Sequence, residues 1–175
     1  TEVAKGASDM VLADDNFATI VYAVSEGREI YDNIRKSIHF LLSSNIGEII
    51  TIFVAILLGW QSPLLAVQLL WVNLVTDSFP AIALGVDGAD EDIMCRPQVS
   101  RKKGLFSDGL SFDIFIEGAM IGTLALSAFS LGYNGFDDLD IGRTMAFCVL
   151  SLSQIVHAFN MRSEHSLFYI GILSN

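Results

Sequence analysis

The sequence predicts an all-α membrane protein, four transmembrane helices preceded by a short α/β segment. Three observations predict it. Hydrophobic residues make up 52% of the 175 residues and the mean hydropathy is +0.52, above the usual range for a soluble domain of this size. Four windows, Ile38 to Gly59, Val67 to Val86, Phe112 to Leu131 and Ile141 to Met161, reach the length of about 20 apolar residues that a spanning helix needs. Two of them carry an acid near the middle, Glu48 in HFLLSSNIGEIITIFVAILLG and Asp77 in VQLLWVNLVTDSFPAIALG. A charge there costs about 2.5 to 3.5 kcal/mol even on a lenient scale, and it marks an ion or proton path by default.

The elements follow in chain order. TEVAKGAS reads as a helix end, and MVLA as a short buried strand between Ser8-Asp9 and Asp14-Asp15. Asp14 or Asp15 is placed to cap the next helix by accepting from free N–H groups of its first turn. Apolar residues then recur at Phe17, Ile20, Val21, Val24, Tyr31, Ile34 and Ile38, and no proline intervenes before Pro63. One helix is therefore expected from about Phe17 to Leu58, roughly 60 Å long, twice the hydrocarbon thickness. Gly27 is its weak point, and a break there is the alternative. The chain opens at Thr1 with neither Met nor a signal peptide, and reads as part of something larger.

Charge orients the spans. Lys5, Arg28, Arg35 and Lys36 precede the first; Arg96, Arg101, Lys102 and Lys103 lie between the second and third; Arg162 follows the fourth. By the positive-inside rule the N-terminus, the loop after the second span and the C-terminus are cytoplasmic, while WQSPL and NGFDDLDIGR face outward with Arg143. The net charge of −10 reads as solvated acidic faces, and without a dense basic stripe no nucleic-acid partner is expected. Cys95 in a loop and Cys148 in a span do not suggest a disulfide.

The site chemistry follows from spacing. Asn45 and Glu48 are three apart, and Asn73, Thr76 and Asp77 stand at i, i+3 and i+4, so each set shares a helix face. Facing helices would converge carboxylate, amide and hydroxyl oxygens, which are hard ligands that favour calcium or another hard cation over zinc or copper. Pro80 cannot donate to the Thr76 carbonyl, so the backbone beside Asp77 is expected to loosen, which membranes tolerate where it lines a site. For Asn45, Asn73 or Thr76 taken singly, interhelical hydrogen bonding is the plainer role. Gln154 and His157, three apart on the fourth span, can approach the site or simply join helices. Asp113 and Glu117 fit an interface or helix N-terminus, and His39 an interface.

The strings KGASDMVLADDNFATIV, EGREIYDNIRKSIHFLLSSNIGEI and QLLWVNLVTDSFPAIALG resemble the C-terminal part of P-type ATPases of the calcium-transporting subfamily, the group of the sarcoplasmic-reticulum pump and its bacterial relatives. The likeness covers most of the chain and is strongest through Lys103. It implies that residues 1–16 close the phosphorylation domain, 17–36 form a cytoplasmic stalk helix, and 37–60, 66–86, 110–132 and 141–162 are the fifth to eighth of ten spans. It makes 87–109 a cytoplasmic loop, DGADEDIMCRPQVSRKKGLF, that contacts the phosphorylation domain, 133–140 an outward loop, and 163–175 a cytoplasmic tail or the start of the next loop.

The resemblance also implies roles. Asn45 and Glu48 match fifth-helix ligands, and Asn73, Thr76 and Asp77 match sixth-helix ligands; VNLVTD argues against the sodium/potassium branch, which has a second acid where Asn73 stands. Gln154 stands where two-site pumps carry an eighth-helix glutamate, which favours one ion per cycle and makes Gln154 a further candidate ligand. The implied activity is ATP-driven export of calcium, with manganese as the alternative ion, from a multi-pass protein of a bacterial plasma membrane. The actuator, nucleotide-binding and phosphorylated-aspartate parts, where ATP and Mg2+ act, and the remaining helices are not in this stretch, so it cannot hydrolyse ATP alone. The competing reading is a secondary transporter or channel with a midplane carboxylate site.

Overall fold

The computed structural model describes residues 2–13, 16–88, 90, 92–97, 104–107 and 109–162. Among them the regular structure is helical throughout: α1 (Glu2–Ala7), α2 (Phe17–Leu57), α3 (Ala66–Trp71), a π-helical turn (Val72–Asp77), α4 (Ser78–Gly85), α5 (Leu110–Gly135) and α6 (Leu139–Met161). Four stretches, α2, α3 through α4, α5 and α6, are long and apolar enough to cross a membrane.

The helix α2 runs unbroken for 41 residues. Its helical pattern therefore prevails over the glycine at position 27, where the surroundings are open. Its cap is Asn16, whose Oδ1 accepts from Ala18 N at 3.0 Å; Asp14 and Asp15, expected in that role, lie outside the described residues. The helix stops at Gly59, whose φ of 70° is left-handed. Trp60 N donates to Ala55 O at 2.9 Å and Gly59 N to Ile56 O at 3.0 Å, the paired bonds that close helix ends on glycine.

The expected strand MVLA does not form. Met10 and Val11 are exposed in irregular backbone. A strand is held by a neighbour's ladder and a covered face, and no described residue supplies either. The tail 163–175 also lies outside the described residues.

The bundle is closed by small residues. At Gly118 of α5 an added Cβ would lie 2.8 Å from the Ser43 carbonyl of α2 and 2.6 Å from Ile46 Cγ2; at Gly122 it would lie 2.9 Å from the Gly47 carbonyl. At Gly132 it would lie 2.5 Å from Gly142 Cα of α6. These contacts bring α5 against both neighbours backbone to backbone, as helices pack in lipid, where dispersion contacts replace the hydrophobic effect. Val72, Ile121, Ala125, Phe129, Ala146 and Leu150 fill the interior, while Phe53, Leu70, Leu74, Phe79, Phe115 and Leu152 point outward.

The loop after α4 is stapled to the first half of α2. Arg28 donates to the carbonyls of Ile93 (2.8 Å) and Arg96 (2.9 Å), and Arg96 binds Asp32, Asp90 and Asp92 at 2.7 to 2.8 Å. Asn33 Nδ2 donates to Asp87 O at 2.7 Å, and Arg162 Nε and Nη2 reach the Asp87 carboxylate at 3.1 and 3.2 Å.

Two glycines should respond with opposite sign. In the full-length protein, Gly132→Ala forces a backbone clash and is expected to destabilise by about 1–3 kcal/mol. Gly27→Ala, in open helix, is expected to stabilise by up to about 1 kcal/mol. Thermal unfolding in detergent checks both; equal effects would contradict the packing described.

Candidate cation site

The site lies where α2, the π-helical turn and α6 meet. Ser43, Ser44 and Glu48 belong to the buried side of α2, with Asn45 half-buried beside them, and the close approach of α5 at Gly47 turns that side inward. Across from them VNLVTD is wound as a π-helix. Bonds to the fifth residue back widen the turn, and Pro80, just beyond, has no N–H to restore the tighter ladder. The Ser78 hydroxyl donates to Asn73 O at 2.9 Å within the same stretch. The loosening expected beside Asp77 thus spans the whole run from Val72 to Asp77.

Glu48 is 6% exposed and Asp77 2%. Glu48 Oε2 accepts from Asn73 Nδ2 at 3.1 Å and Oε1 from Gln154 Nε2 at 3.3 Å. The Thr76 hydroxyl lies 2.6 Å from Gln154 Oε1 and 2.9 Å from Val72 O, sharing its proton between them. Gln154 therefore joins both ligand-bearing helices, and it is buried. Asp77 differs: both carboxylate oxygens are buried with no hydrogen-bond partner among the described residues, as is the hydroxyl of Ser44, which lies beside it.

That arrangement constrains what can occupy it. Two carboxylates buried together repel each other while both are charged. A cation or protons must supply the missing neutralisation. The donors are carboxylate, amide and hydroxyl oxygens, and among the described residues no group of three His, Cys, Asp or Glu side chains is arranged to hold a metal ion. The set suits a hard cation rather than zinc or copper.

Five of the six candidates named from sequence, Glu48, Asn73, Thr76, Asp77 and Gln154, come together here. Asn45 stands one turn before Glu48 but donates its Nδ2 to Leu41 O at 2.6 Å, and no hydrogen bond links it to the other five among the described residues. Two features escaped the sequence reading. Ser44 shares the Glu48 face at i, i+4, a spacing that could have found it. Glu117 does not seek an interface or helix end; it turns inward between His39 and His157.

Fold and donor set together define an integral, multi-pass membrane protein with an oxygen-lined pair of acids between its helices. Residues 61–175 match the family described as "Cation transporting ATPase, C-terminus", and the chain belongs to that family. It is 53% identical to calcium-transporting ATPase 1 of Bacillus cereus over 192 residues, covering 100% of this chain and 22% of that protein. It is 47% identical to the calcium-transporting ATPase of Bacillus subtilis over 169 residues, covering 96% of this chain and 19% of that protein. With calcium-transporting ATPase 4, endoplasmic reticulum-type, of Arabidopsis thaliana it shares 45% identity over 159 residues, covering 90% and 15%. The resemblance drawn from sequence is borne out, and the chain spans about a fifth of the length of the curated relatives it matches.

Gln154→Leu in the full-length protein removes the bond to Glu48 Oε1 and leaves that buried oxygen unpaired. The expected cost is about 1–3 kcal/mol, read as a lowered unfolding temperature in ion-free buffer; an unchanged temperature would contradict the bridging role.

Proposed function

We propose that this chain is the cation-binding transmembrane part of an ATP-driven pump that exports calcium from the cytoplasm. The observation that carries the reading is Asp77, buried beside Glu48 with Ser44 next to it and no amide or cationic partner among the described residues. The family membership and the names of the relatives support calcium as cargo, with manganese as the second ion to compare. Asn45, Glu48, Asn73, Thr76 and Asp77 supply one wall of the pocket. Asn45 contributes through Oδ1, the oxygen its bond to Leu41 does not use.

Gln154 is the sixth candidate ligand and the neutral member of the set. Two carboxylates balance one divalent ion, which favours one ion per cycle. When the ion leaves, protons on Glu48 and Asp77 replace its charge, because an empty buried carboxylate is more stable neutral. The π-helical turn lets Asn73, Thr76 and Asp77 shift together, since its backbone bonds are already spaced for a wider helix.

The drive comes from parts of the full protein beyond this chain. There ATP and Mg2+ act on an aspartate, and actuator and nucleotide-binding domains complete the cycle. Residues 1–16 belong to the phosphorylation domain, and 17–36 are the stalk. As one helix, α2 carries displacement from that stalk to the level of Glu48. The excess of Lys and Arg around residues 1–36 and 87–109 supports a cytoplasmic position for those segments, with 133–140 outside and 163–175 inside, and the Bacillus relatives support a bacterial plasma membrane.

In the full-length protein, Asp77→Asn is expected to lower calcium-dependent phosphorylation by ATP at least about tenfold. Calcium and manganese titrations of the wild type establish which ion drives it. Intact calcium-dependent phosphorylation in Asp77→Asn would remove Asp77 from the site.

A further inference from the structure

A cleft of about 800 Å3 lies between the first half of α2, the loop after α4 and the adjoining ends of α5 and α6. It sits where α2 passes from its polar half into its apolar span and where α5 begins, at the level of a membrane surface. Arg28, Arg35 and Lys36 line it from α2, and because they are seven and eight residues apart they share one helix face. Arg96 joins them from the loop. Asp32, Asp90 and Asp113 also line the cleft, so cations outnumber acids there although the chain as a whole carries −10.

These charges are unequally matched. Arg96 is neutralised by Asp32, Asp90 and Asp92. Arg28 spends its hydrogen bonds on two uncharged carbonyls, those of Ile93 and Arg96, and Arg35 reaches only the Ser107 carbonyl, at 3.4 Å. Lys36 stands 3.9 Å from an Asp90 oxygen that Arg96 already holds at 2.7 Å. Among the described residues, then, no carboxylate balances Arg28 or Arg35, and both are half-buried. A guanidinium so placed favours an anion, and its fork of donors matches the oxygens of a phosphate.

We propose that this cleft binds a phosphate ester, with Arg35 and Lys36 as its main donors and Arg28 as the third. A phospholipid headgroup and a soluble phosphate share that chemistry. The level of the cleft favours the lipid, as do Ile34, Phe112 and Phe159, which are exposed and each stand next in the chain to a lining residue. Asp113, on α5, has no ion-pair partner among the described residues and opposes the anion across the cleft. The inference goes beyond the pump reading and holds whatever ion is carried.

The test is equilibrium binding to the full-length protein in neutral detergent. Three probes are compared: dioctanoyl phosphatidylglycerol; dioctanoylglycerol, which keeps the chains but lacks the phosphate; and inorganic phosphate. Saturable binding of one phosphatidylglycerol per chain is expected, with none of dioctanoylglycerol. Arg35→Gln combined with Lys36→Gln should weaken it about tenfold or more. Asp113→Asn, which removes the opposing charge, should tighten it about twofold, a gain that misfolding cannot produce and that decides the matter if the double variant fails to fold. Saturable binding of inorganic phosphate, altered by the same variants, supports the site and makes its source soluble. Non-saturable phosphatidylglycerol binding, equal binding of dioctanoylglycerol, or affinities unchanged in every folded variant overturn it. None of these results bears on calcium-dependent phosphorylation, whose absence would instead overturn the pump reading.

Discussion

The burial of Asp77 beside Glu48 is the constraint on which the rest of this structure depends. Glu48 is held by two amide donors, from Asn73 and Gln154, yet Asp77 has none among the described residues. Two acids so placed cannot both remain charged without a positive partner. The helices around them hold the acids together despite that cost. Backbone contacts at Gly118, Gly122 and Gly132 pack α5 tightly between α2 and α6, two of the three elements that bear the site. A packed arrangement of this kind switches between discrete states more readily than it deforms.

Length and stiffness connect that pocket to the other end of α2. An uninterrupted helix of 41 residues leaves no internal joint to absorb a displacement. The loop residues Ile93 and Arg96, gripped by Arg28, and Asp87, gripped by Asn33 and Arg162, tie the helix to the ends of its neighbours. The compliant element is the π-helical turn, which carries Asn73, Thr76 and Asp77. In the proposed cycle, movement of α2 is therefore felt first at the donors that face Glu48.

Much of this was legible in the sequence, for physical reasons. Apolar periodicity through Ile38 and the lack of proline before Pro63 gave the long helix, and i, i+3, i+4 spacing placed Asn73, Thr76 and Asp77 on one face. The strand at MVLA was misread because a short apolar run reports hydrophobicity alone, while a strand also needs a partner. Spacing groups Asn45 with Glu48 but does not show that its amide nitrogen turns back to Leu41 O, which leaves Oδ1 as the atom available to a ligand. On α5 alone, Glu117 fits an interface or a helix N-terminus. Its partners, His39 and His157, come from two other helices, and only packing brings them together.

The central claim, that Glu48 and Asp77 are completed by a hard cation, is tested most directly by equilibrium calcium binding to the full-length protein without ATP. The account predicts saturable binding of one ion per chain that is displaced by protons as pH falls and abolished by Glu48→Gln. Binding of wild-type stoichiometry and affinity in Glu48→Gln would contradict it.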